Sequence, residues 1–141
     1  MPGDAVVASL TQAELEAVAA DLWRRAPSGA VVWLSGDLGS GKTTFVQAIT
    51  RAAGASLARS PTFALVHEYP SAAGPVIHVD CYRLKHPDEA LDLDLFGLAA
   101  RARLLVIEWP ERAGPHAPPP YAHFRFAHAD VATHRQLEQV G

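Results

Sequence analysis

Apolar residues recur at helical spacing near the start of the chain and in short unbroken runs after it. Leu15, Val18, Ala19 and Leu22 lie three and four apart, which predicts an amphipathic helix running to about Arg25. Thr11 and Glu14 before it have the spacing of a capping box, in which the two side chains satisfy free backbone amides reciprocally. Pro27-Ser-Gly29 ends the helix, and residues 30–34 form a continuous apolar run of the kind seen in strands buried on both faces. Residues 44–53 read as a second helix with Gly54 at its end. After a loop opening at Ser60-Pro61, strands are expected at 63–67 and, past a turn at 71–74, at 76–80. Pro87-Asp-Glu-Ala90 has the composition of a first helical turn, with proline leading and acids near the positive end of the dipole. Residues 104–108 form a third buried strand, and the proline-rich 115–120 a stiff connector. Residues 121–127 alternate as a strand, and 134–140 either pair with it as an antiparallel hairpin or form a helix. Buried strands alternating with helices predict an α/β layer architecture, its sheet mainly parallel with antiparallel strands at a C-terminal edge.

Composition narrows the function. The chain of 141 residues is 49% hydrophobic and 19% charged, with net charge −3, as expected of one folded domain over 1–141. That balance excludes a disordered chain and supplies no large positive field for tight, autonomous binding to a nucleic-acid backbone. Cys81 is the sole cysteine, so no internal disulfide forms, and no metal-ligand spacing surrounds it. The first ten residues carry Asp4 and no basic cluster ahead of an apolar core, a poor signal peptide. No stretch approaches the ~20 apolar residues of a membrane span. These features lead to the expectation of a cytoplasmic protein, not bound to a membrane.

The chemistry is concentrated after the first predicted strand. Gly36-Asp37-Leu38-Gly39-Ser40-Gly41-Lys42-Thr43 matches G-x-x-x-x-G-K-[ST] at every fixed position and stands between a strand and a helix. Glycines let the backbone wrap round phosphate oxygens with amides pointing inward, and the following helix adds its positive end. Lys42 is expected to reach the β- and γ-phosphates as a point charge and the Thr43 hydroxyl to hold magnesium. Residues 37–44, Thr44 included, are therefore the candidate nucleotide site, and the layer architecture becomes a P-loop NTPase-like three-layer fold. Such a site also needs a carboxylate from a neighbouring strand end. Asp80 and Glu108 both stand at such ends, and a magnesium ion that keeps several waters takes one or two carboxylates. Ser60-Pro61-Thr62 lies where a nucleotide-sensing switch loop would sit, although this triplet alone is usually a turn.

Taken in order, Gly36 to Thr44, Ser60-Pro-Thr62, His78-Val-Asp-Cys-Tyr-Arg83 and Glu108-Trp-Pro110 resemble the TsaE family, formerly known as YjeE. The resemblance runs from the P-loop to Pro110 and more loosely over almost the whole chain. It implies a small P-loop ATPase that binds ATP and Mg2+. The family works with TsaD and TsaB to place a threonylcarbamoyl group on the adenosine beside the anticodon of ANN-decoding tRNAs. Another enzyme makes the adenylate donor, and ATP hydrolysis resets the complex between turnovers. Contact with tRNA would then be indirect, through the complex. Carried over by position, Lys42 and Thr43 match the phosphate and magnesium residues, Thr62 the switch-loop threonine, Asp80 the Walker B-like acid and Glu108 a magnesium-linked acid. On this basis Lys42, Asp80 and Glu108 are the expected catalytic set, and Thr43, Asp80 and Glu108 the metal set. Ser40 replaces a more usual alanine and Cys81 a larger apolar residue, and neither change removes a ligand.

Other residues have plainer readings. Trp33 is expected in the core, Trp109 beside the site or capping a strand, and the seven histidines fall on no recognisable metal pattern. Asp88, Glu89, Asp92 and Asp94 form either a solvated face or a docking surface. Two other functions use the same loop. A small-molecule kinase would need an acceptor pocket and a lid arginine, for which Arg101 and Arg103 are the candidates. A nucleotide-gated binding module would hydrolyse negligibly.

Overall fold

The computed structural model describes residues 6–37, 39–56, 65–129 and 133–140. Among these residues the chain runs β1 (Val6–Thr11), α1 (Gln12–Arg25), β2 (Ala30–Gly36), α2 (Lys42–Ala52), β3 (Val66–Tyr69) and β4 (Val76–Asp80). A 3-10 segment (Pro87–Leu93), α3 (Leu95–Arg101), β5 (Leu104–Glu108), α4 (Pro110–Ala113), a second 3-10 turn (Gly114–His116), β6 (Ala122–His128) and β7 (His134–Val140) follow.

Local chemistry explains most boundaries. The amide of Glu14 donates to Thr11 Oγ1 at 3.2 Å and the amide of Thr11 to Glu14 Oε1 at 3.0 Å, so the expected capping box forms. Leu15, Ala19 and Leu22 make the buried face of α1. At Ala26 the backbone turns extended ahead of Pro27. The second helix begins at Lys42, two residues before the expected start, because Gly41 in a left-handed conformation already serves as its N-cap. The strand expected at 63–67 is found at Val66–Tyr69, and Phe63 lies outside the described residues.

The sheet order is β1-β7-β6-β2-β5-β4-β3. Its centre is parallel, with β2 between β5 and β6 and β4 beyond β5. Antiparallel pairing occurs at both edges rather than at one. The 134–140 segment is a strand, antiparallel to β6, which settles the helix alternative. It is followed by β1, an edge strand that local pattern does not announce. At the far edge β3 folds back on β4 through a turn closed by the Gly74 amide on the Ser71 carbonyl.

Two cores sandwich this sheet. On one face α1 and α2 pack over Val32, Leu34, Val106, Phe124 and Phe126; on the other, Ala90, Leu95, Leu98 and Ala113 cover Ile77, Val79, Leu105 and Ile107. All five residues of β5 are buried, as its unbroken apolar run predicts. Phe45 sets α2 on the sheet, with ring centroids 5.2 Å from Phe124 and 5.4 Å from Phe126. Such pairs add about 0.5–1.5 kcal/mol beyond their burial. The acidic run builds structure: Asp94 caps α3 through the Gly97 amide, Glu89 accepts from the Lys85 amide and Asp88 pairs with His116. That accounts for α3, a helix the sequence reading left out. Among the described residues no helix is long and apolar enough to cross a membrane.

Two predictions follow from the packing. Gly36, paired with Phe126, has φ +132°, and a Cβ there would lie 2.3 Å from the Phe126 carbonyl oxygen. Gly36→Ala should therefore lose about 2–5 kcal/mol, backbone strain and overpacking together, read by urea denaturation. Cys81 is fully buried, and burial, then the nearby carboxylates of Asp80 and Glu111, push its thiol up to about 12. In the folded protein it should resist Ellman's reagent at neutral pH and react at once in denaturant; rapid reaction of the native chain would contradict this packing.

Candidate nucleotide site

The parallel order brings the C-terminal ends of β2, β4 and β5 side by side, the crevice where ligands of open α/β sheets bind. Asp80 and Glu108 are register partners across β4 and β5. The turn between β2 and α2 stands over them. Its glycines carry the geometry: Gly39 has φ +75° and Gly41 φ +115°, backbone that side chains resist. Ser40 is fully buried and donates both its amide and its hydroxyl to the Asp37 carbonyl, at 3.2 and 2.6 Å, while the Asp37 side chain is exposed. Serine in place of alanine thus gives the loop an extra internal bond. Leu38, Ser60 and Thr62 lie outside the described residues.

Lys42 is only 4% exposed. Its Nζ donates to the Gly36 carbonyl at 2.5 Å and sits 4.2 Å from the centroid of the Trp109 ring. Burial pushes the ammonium below the usual lysine range, and the carboxylates of Glu108, Asp80, Glu111 and Asp37 oppose that shift. A lysine placed here is thus a cation short of water. Thr43, exposed, and Thr44, half-buried, follow on the first turn of α2.

Gly39, Gly41, Lys42, Thr43, Asp80 and Glu108 line one cavity of about 190 Å³. Sequence reading named all six, and the fold brings them together. A larger cavity of about 600 Å³ lies against Gly36 and Asp37, walled by Trp33, His123 and Arg125. It has neither Gly39 nor Gly41 nor the lysine, and neither strand-end acid. Trp109 walls both cavities. It initiates α4 with φ +56°, and its ring packs 5.0 Å from that of Tyr82. Trp33 is half-buried and donates Nε1–H to the Pro118 carbonyl at 2.9 Å.

Two residues escaped sequence reading. Arg135 of β7 lines the small cavity and an adjoining one of about 280 Å³ with Gln12, Thr44 and Thr133. Its Cγ lies 3.2 Å from where a Cβ on Gly41 would be. It sits next to Leu10 only because β1 pairs with β7, and no local signal reveals that. His78 is the other: 9% exposed, it meets Glu108 Oε2 at 2.5 Å. Its place in a strand before Asp80 was visible, its partner was not. Arg83 is exposed. Arg101 and Arg103 lie at the opposite, N-terminal end of β5; Arg101 pairs with Glu68, and Arg103 packs over Trp23 and bonds its carbonyl.

The family model described as threonylcarbamoyl adenosine biosynthesis protein TsaE matches residues 9–137. Proteins named tRNA threonylcarbamoyladenosine biosynthesis protein TsaE include one from Nostoc sp., 39% identical over 79% of this chain and 70% of its own length. One from Aquifex aeolicus is 42% identical over 60% of this chain and 61% of its own length. Another, from Synechocystis sp., is 36% identical over 67% and 66% respectively. The crystal structure of YdiB from Bacillus subtilis superposes with a TM-score of 0.75 at 24% identity, over 98% of this chain and 87% of that one, which establishes the same fold. With a family match spanning the P-loop, both acidic strand ends and the C-terminal hairpin as far as residue 137, the chain belongs to the TsaE family of threonylcarbamoyl adenosine biosynthesis proteins.

Proposed function

We propose that this chain, acting as one domain in the cytoplasm, is the ATP-binding and ATP-hydrolysing subunit of tRNA threonylcarbamoyladenosine synthesis, working with TsaD and TsaB and meeting tRNA through that complex. The observation that carries the reading is Lys42, buried at the N-terminus of α2 in the same cavity as Asp80 and Glu108.

The residues fit a magnesium nucleotide. Among the described residues no three His, Cys, Asp or Glu side chains gather into a self-sufficient metal cage. A small cation here would draw on nucleotide oxygens, Thr43, water and one or two of the carboxylates, which suits magnesium. Bound Mg–ATP supplies a labile γ-phosphoryl group and the charge that neutralises its transfer. The chain does the rest. Loop amides at Gly39 to Lys42 and the α2 N-terminus would hold phosphates, and Lys42 would exchange the Gly36 carbonyl for a phosphate oxygen. Asp80 and Glu108 would orient the metal and its waters, Ser60 and Thr62 would serve as the switch loop, and Arg135 would reach the nucleotide from β7. Trp109, packed on Lys42, would exclude water from that side.

A kinase finds less support, since Arg101 and Arg103 are committed to contacts away from the cavity. A gated module with negligible hydrolysis differs from the ATPase in one respect, phosphate release with TsaD and TsaB present.

Lys42→Ala should weaken Mg–ATP binding by about 10–100-fold, the worth of one charge-assisted contact, and abolish repeated tRNA modification. Calorimetry and a reconstituted threonylcarbamoylation assay read the two effects; full activity of the variant would sink the mechanism. Chelating magnesium with EDTA should stop phosphate release in the same mixture. Release that continues unchanged would remove the metal from the reaction.

A further inference from the structure

His78 is a buried ionisable side chain beside the cavity for which the ATPase reading has no task. Strand alternation puts it there. Ile77 and Val79 of β4 enter the core under α3, so His78 and Asp80 take the opposite face, as Glu108 does on β5. Glu108 is the register partner of Asp80, which leaves His78 one diagonal step away. The two side chains close that step with a contact of 2.5 Å between Nε2 and Oε2, at 9% and 5% exposure. With Glu108 as a carboxylate, which only accepts, this contact is made by an Nε2–H donor on the imidazole. The ring plane is held in turn by His67, the cross-strand partner on β3, stacked at 5.9 Å and 27°.

We propose that His78 is a positioning residue for ATP hydrolysis: it holds Glu108 by one carboxylate oxygen, so that the other is presented to the cavity. The proposal rests on the ATPase reading and adds a specific division of labour to it. A lone glutamate at a strand end samples several rotamers; one tethered at Oε2 keeps a single orientation toward a metal-bound water. Among the described residues no buried side-chain nitrogen or oxygen lacks a partner, so removing the donor would leave Oε2 orphaned.

The test compares His78→Phe, which keeps the ring and the His67 stack but no donor, with His78→Gln, which keeps an N–H. Steady-state Mg–ATP hydrolysis is measured with TsaD and TsaB, alongside calorimetric binding of Mg–ADP and the melting temperature. His78→Phe should lower kcat by about 10–100-fold, the usual effect of losing an outer-shell partner, with KM within about threefold of wild type. His78→Gln should recover most of that loss. Unchanged kcat in His78→Phe, a His78→Gln variant equally slow, or a loss carried by KM alone would each overturn the proposal. If His78→Phe does not fold, His78→Asn, whose shorter amide falls short of Oε2, takes its place in the same comparison. A wild-type chain that neither binds nor hydrolyses Mg–ATP would instead overturn the ATPase reading, and this inference with it.

Discussion

A lysine ammonium held almost out of water organises this molecule. Placing a cation in such a position is costly unless charge and hydrogen bonds compensate it. Here the compensation comes from separate parts of the chain. The Gly36 carbonyl accepts its hydrogen bond, the Trp109 ring faces it, and Asp80 and Glu108 bring negative charge from the next two strands. Gly36 is near by the turn of the loop, but Trp109, Asp80 and Glu108 reach Lys42 through the parallel order of β2, β5 and β4, and that order requires helices on both faces to carry the crossovers. The sandwich of two cores is the scaffold that makes one buried charge tolerable.

Trp109 shows what this arrangement stores. A bulky residue at φ +56° costs on the order of 1–3 kcal/mol and persists where its surroundings insist on it. Contacts with Lys42, Tyr82 and Arg112 supply that insistence, and Pro110 after it starts α4. The indole is thereby fixed as a partition between the small cavity and the larger one beside Gly36. Any movement of the lysine is felt on both sides of that wall.

The parts of the fold legible in sequence were those whose pattern is local. β4 and β5 are found at the expected residues, β5 because a strand buried on both faces writes itself as an apolar run, β4 because its apolar residues are interrupted only by His78. The P-loop was equally plain, its glycines being demanded by backbone conformation. β1 was missed because Val6–Thr11 is an edge strand, stabilised by a partner more than a hundred residues on. α3 hid behind an acidic run whose last member, Asp94, caps it. The Glu108–His78 bond and the reach of Arg135 are products of register, which exists only once strands have paired. Leu38, Ser60 and Thr62 fall outside the described residues, and their reading rests on sequence.

The pairing of β1 with β7 bears on how the chain folds as well as where it ends up. Val6 is matched to Gln139, so β1 finds its neighbour only when β7, more than a hundred residues later, has emerged. Until then the helix that follows it must dock on a sheet that lacks this border. Contacts of such wide sequence separation slow folding, since a long loop must close before they form. The order of synthesis and the order of assembly therefore run in opposite directions at this edge. A circularly permuted chain that joined the two strands through a short turn would make this distant contact a local one.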